Sequence, residues 1–108
     1  MPGSHIIALC TVPDTATAEK LARILIENHL AACVNIVPRL TSVYYWQGQI
    51  ETSDELLLLI KTRSDRYPDL EATLRDSHPY ELPEIISVPI GQGLDAYFNW
   101  IDQTLTPQ

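Results

Sequence analysis

Positive charge is scarce in this 108-residue chain: seven Lys and Arg stand against fourteen Asp and Glu, for a formal net charge of −7 and a pI of about 4.7. An acidic surface offers no basic patch to displace counterions, which excludes nucleic acid and anionic membranes as expected partners. Cysteine is scarce too. Cys10 and Cys33 both sit in apolar, strand-like stretches. A chain that is 45% hydrophobic can build its own core without disulfide staples. Met1 to His5 carries no Lys or Arg and leads straight into a strand, so no export signal is visible and the expected compartment is the reducing cytoplasm. Met1 to Ser4 is expected to be disordered, or left over from an expression tag. No apolar run approaches the ~20 residues of a membrane span. The sequence also lacks a nucleophile elbow, a glycine-rich phosphate loop, an HExxH pair and zinc-type cysteine pairs. The chain is therefore expected not to be an enzyme.

What the sequence does have is one long hairpin, from about Ala32 to Arg63, folded at Gln47-Gly48. Glycine supplies the positive φ of a tight turn. The first arm is crowded with Val34, Ile36, Val37, Val43, Tyr44, Tyr45 and Trp46, and the second ends in the apolar run Leu56 to Ile60. Each arm would extend about 50 Å at ~3.3 Å per residue. A domain of this size should be only about 35 Å across, with a radius of gyration of ~13 Å. The hairpin either bends, which Pro38 would permit, or reaches onto another subunit.

The rest of the chain falls into alternating periods. His5 to Val12 is continuously apolar, as in a strand buried on both faces. Asp14 is a helix N-cap, and Ala18, Leu21, Ala22 and Leu25 mark an amphipathic helix over Thr15 to Asn28. After the hairpin, Ser64 to Ser77 reads as a second helix capped by Ser64, with Tyr67, Leu70 and Leu74 on one face and Pro68 suited to a first turn. His78-Pro79 ends it. Glu84 to Ile90 reads as a fourth strand, and Leu94, Tyr97, Phe98, Ile101 and Leu105 as a terminal helix. The expected fold is a single α+β domain over residues 5–106. Its βαββαβ order is the ferredoxin-like split β-α-β, an antiparallel sheet with helices on one face, extended by a C-terminal helix. Strands one and three should be central. Strands two and four carry Pro38 and Pro89, so they belong at the edges. A long aromatic edge invites aggregation unless it is covered. The expectation is a homo-oligomer whose hairpins complete each other's sheets, the other possibility being that the terminal helix covers the edge.

Five segments carry a family resemblance: ALCTVPD, LAACVN, SVYYWQGQI, LLLLIKT and SHPYELPEI. Together they resemble the CutA family, the divalent-cation-tolerance proteins, from about His5 to Trp100. The resemblance implies a ferredoxin-like subunit in a tight cytoplasmic homotrimer with no established reaction, linked to tolerance of copper and other divalent ions. The fold it implies is similar to that of the PII signalling proteins. It also implies copper ligands: Cys10 matches the family's first-strand cysteine, and His78 the second histidine of a His-His pair whose first member is here Ser77. Thiolate and neutral imidazole are ligand types suited to copper. The same residues have plainer readings, Cys10 as a small hydrophobe and His78 as a helix-end residue.

Two further sets stand out in the residues themselves. The loop HPYELPE, stiffened by Pro79 and Pro83, presents His78, Tyr80, Glu81 and Glu84. With Glu55 and Lys61 from the third strand it would form a small-ligand or cation cleft between subunits, or a structural ion pair across the trimer. The aromatic set Tyr44, Tyr45, Trp46 and Trp100 is expected at the oligomer interface. A PII-like signalling or scaffolding trimer that binds a small molecule or a partner protein in such clefts is the competing function.

Overall fold

A computed structural model of the chain describes residues 4–106. Its elements are β1 (His5–Val12), α1 (Thr15–Glu27), β2 (Cys33–Trp46), β3 (Gln49–Arg63), a 3-10 turn (Ser64–Arg66), α2 (Tyr67–Ser77), β4 (Ile85–Pro89) and α3 (Asp95–Leu105). The four strands form one antiparallel sheet in the order β2-β3-β1-β4. The continuously apolar strands are central and the proline-bearing ones are at the edges, as the composition requires.

Local chemistry explains most boundaries. Asp14 Oδ1 accepts the Thr17 N–H at 2.7 Å and starts α1. The helix stops in a Schellman arrangement. His29 takes a left-handed φ of 55°, its N–H donates to the Ile26 carbonyl, and the Leu30 N–H donates to the Leu25 carbonyl at 2.9 Å. Ser64 was expected to cap α2 but does not. Ser64–Arg66 forms a 3-10 turn, and α-helical bonding starts at Tyr67 with Pro68 in its first turn. Proline has no N–H to lose there, and its fixed φ suits that position. β4 is shorter than expected, because its ladder with β1 begins only at Ile85, opposite Cys10.

Strand alternation sorts the sheet into two faces. Ala8, Cys10, Val12, Leu58 and Ile60 face α1 and α2, and pack with Ala18, Leu21, Leu25, Leu70 and Leu74 into the main core. The opposite face carries His5, Ile7, Leu9, Leu57, Leu59 and Arg63. α3 covers only its His5–Arg63 end. His5 stacks on Phe98 (4.4 Å, 11°) and its Nε2–H donates to Asp102 at 2.9 Å. Arg63 forks onto Asp65 and reaches Asp102 at 3.3 Å. His5 thus belongs to the fold. Ser4 does too, since its carbonyl accepts the Ser64 N–H at 2.8 Å. The rest of the segment expected to be disordered, residues 1–3, lies outside the described residues. The remainder of the second face is open, with Ile86 and Val88 half exposed.

The hairpin projects. The molecule measures 45 × 26 × 22 Å with a radius of gyration of 14.5 Å, against ~13 Å for a compact chain of this length. The turn places Gln47 at φ 52° and Gly48 at φ 81°, the mirror-image geometry that matches strand twist. Pro38 and Arg39 (φ 63°) form a bulge between the pairs Val37–Leu57 and Leu40–Glu55. One extra residue there bends the strand without ending it. α3 leaves the hairpin tip uncovered: Val43, Tyr45 and Ile50 are each about two-thirds exposed or more (67%, 75% and 66%).

Candidate functional site

The loop after α2 is fastened to the end of β1 by one imidazole. His78 is buried. Its Nε2–H donates to the Thr11 carbonyl at 2.8 Å, and its Nδ1 accepts the Tyr80 N–H at 3.1 Å. A carbonyl can only accept and an N–H can only donate, so the two partners fix the neutral Nε2–H tautomer. The anchored loop then turns the Tyr80 ring beside the imidazole (4.7 Å, 49°) and aims its hydroxyl at Glu55, donating to Oε2 at 2.7 Å. Burial, and then the bond to Glu55, push the Tyr80 phenol well above its ordinary range, so it remains a donor.

These contacts create a groove of about 710 Å³. One wall is the hairpin from Ser42 to Trp46, where Tyr44 bonds Ser53 at 2.7 Å. The other wall is the loop from Pro79 to Leu82, together with Glu84; Thr11 and Glu55 complete the lining. Among the described residues no Lys, Arg or His lines it.

The structure unites some of the expected site residues and separates others. Glu55, Tyr80, Glu81 and Glu84 share the groove. Lys61 does not. It lies six residues along β3 from Glu55, about 20 Å at the usual strand rise, paired with Cys33 in register and bonded to Asn35 Oδ1. Sharing a strand face does not make two residues neighbours. The aromatic set divides as well. Tyr44, Tyr45 and Trp46 stand at the hairpin tip, whereas Trp100 sits on α3 against Tyr97 (5.5 Å). Thr11 was not singled out in the sequence, because its contribution to His78 is a backbone carbonyl and carries no side-chain signal.

Cys10 and His78 do converge: the Cys10 thiol turns toward the same Thr11 carbonyl, at 3.7 Å. The donors nevertheless do not fit a resident metal. Burial first, then the charges of Glu84 and Glu55, push the thiol from an ordinary 9.0 up to about 12, so it keeps its proton at neutral pH. Both nitrogens of His78 are already engaged. Among the described residues no group of three or more His, Cys, Asp or Glu side chains is gathered to hold an ion.

The family model of the CutA1 divalent ion tolerance protein matches residues 6–104. The chain belongs to the CutA1 family. The divalent-cation tolerance protein CutA of Thermus thermophilus is 46% identical over 95 residues, covering 88% of this chain and 92% of that protein. The crystal structure of CutA from Xylella fastidiosa superposes with a TM-score of 0.93 at 39% identity, covering 96% of this chain and all of that one. Mouse protein CutA is 44% identical over 103 residues, but this chain spans only 58% of its length. CutA1 structures share the four-stranded sheet and three helices described above, so the family fold and the expected fold agree.

Proposed function

We propose that this chain serves divalent-cation tolerance as a non-catalytic homotrimer in the cytoplasm. The tolerance role is supported by the names of the family and of its bacterial relatives. The observation that carries the assembly is the incompletely covered sheet. An edge strand bearing exposed Tyr44, Tyr45 and Val43 adjoins an open face bearing Leu57, Leu59, Ile86 and Val88. Such surfaces are interface material rather than ordinary solvent-facing sheet. Closed symmetry pairs every edge at once. Free cysteines, Cys10 buried and Cys33 half-buried, suit a reducing compartment. Light scattering at micromolar concentration should give three times the 12.2 kDa chain mass; a stable monomer would overturn the assembly.

A second reading places copper or another divalent cation on Cys10 and His78, favoured by their convergence on the Thr11 carbonyl. It requires the thiol to ionise and the imidazole to surrender a hydrogen bond. Ion capture there would be weak, and it would be coupled to movement of the loop.

A further inference from the structure

We propose that the groove between the hairpin tip and the Pro79–Leu82 loop binds a small organic cation: an amine, guanidinium or quaternary ammonium head on a compact apolar body. The starting point is Glu55. It is only 7% exposed, yet it forms no ion pair among the described residues. Among the described residues its sole hydrogen bond is from the neutral Tyr80 hydroxyl, to one of its two oxygens. A carboxylate removed from water needs a positive partner or several donors, and here it has one neutral donor. Glu81 and Glu84 add charge of the same sign at the rim, and among the described residues no basic side chain lines the groove to offset them. The occupant the groove calls for is therefore cationic.

The walls decide which kind of cation. Tyr44, Tyr45 and Trp46 present aromatic surface, and Pro79 and Leu82 close the other side. A hard divalent ion wants several oxygen ligands held close together and retains its water. An alkylammonium or guanidinium instead gains from ring faces and from burial of its hydrocarbon. The volume of about 710 Å³ lies within the range of ligand pockets and far exceeds a single ion's needs. This site borders the Cys10–His78 pair through Thr11 without using their donor atoms, and it rests on the hairpin-tip aromatics keeping this face open in the trimer proposed above.

Calorimetric titration of the full chain with butylammonium, butylguanidinium and tetramethylammonium chlorides should give saturable binding of at least one at millimolar concentration. Neutral 1-butanol should give none. Glu55→Gln keeps an acceptor for Tyr80 but removes the charge, and should weaken binding roughly tenfold or more. If that variant does not fold, Glu84→Gln should weaken it in the same direction. The proposal falls if no cation binds, if butanol binds equally, if the charge-neutral variant binds unchanged, or if magnesium binds more tightly than every amine. Light scattering on the same sample separates failure here from failure of the trimer.

Discussion

Removing the His78 imidazole should detach the groove's outer wall at a measurable cost. The ring satisfies two backbone groups that are 69 positions apart in the chain, the Thr11 carbonyl and the Tyr80 N–H, at 2.8 and 3.1 Å. Leaving a buried polar group unpaired costs about 1–3 kcal/mol. His78→Ala orphans two of them and loses the tilted contact with Tyr80, so a loss of about 3 kcal/mol is expected, in the lower part of the combined range of about 2–6 kcal/mol because the loop continues into the exposed Pro79. Two variants split the effect. The side-chain carbonyl introduced by His78→Asn can accept the N–H two residues on, as Asx turns do. The longer amide in His78→Gln can donate to Thr11. Each should recover roughly half the loss. The assay is urea denaturation at one fixed protein concentration, since assembly makes apparent stability depend on it. A loss below about 0.5 kcal/mol for His78→Ala would contradict this account of the loop, because that is the range of an unengaged surface residue. Equal destabilisation by all three substitutions would refute the assignment of the two hydrogen bonds.

Copper held by Cys10 must displace the thiol proton, so its affinity should climb about tenfold per pH unit between neutrality and about 12, and calorimetry should lose that heat in Cys10→Ala; unchanged heat in the variant excludes this pair as ligands. The buried thiol also gives the fold an alkaline limit. Its folded value of about 12 exceeds the ordinary 9.0, so the neutral thiol's contribution is fully present below pH 9 and is lost as pH rises through about 12. At about 1.36 kcal/mol per pH unit the difference from Cys10→Ala should approach 4 kcal/mol across that window. A parallel pH profile for the two proteins, followed by denaturation midpoints, would show that the thiol is not the group responsible.

The fold was largely legible because its signals are local. Asp14, the i, i+3, i+4 spacing of α1, the Gln47-Gly48 turn and the continuous apolar run of β1 each act through a few neighbouring residues. Pro38 and Pro89 marked the edge strands for the same reason, since a missing N–H is a property of one residue. Half the candidate site was legible as the HPYELPE loop. The error at Lys61 shows the limit of that reading. Alternation correctly places it on Glu55's face, but distance along the strand separates them.

The sequence by itself determined the elements, their order and the family, because periodicity, turn chemistry and motif strings are carried by contiguous residues. Tertiary structure alone decided that Tyr80 meets Glu55 and that His78 meets the Thr11 carbonyl. Those pairings depend on register, on the bulge in β2 and on the path of the loop, and close packing turns such distant choices into a site with a buried carboxylate held by a tyrosine hydroxyl.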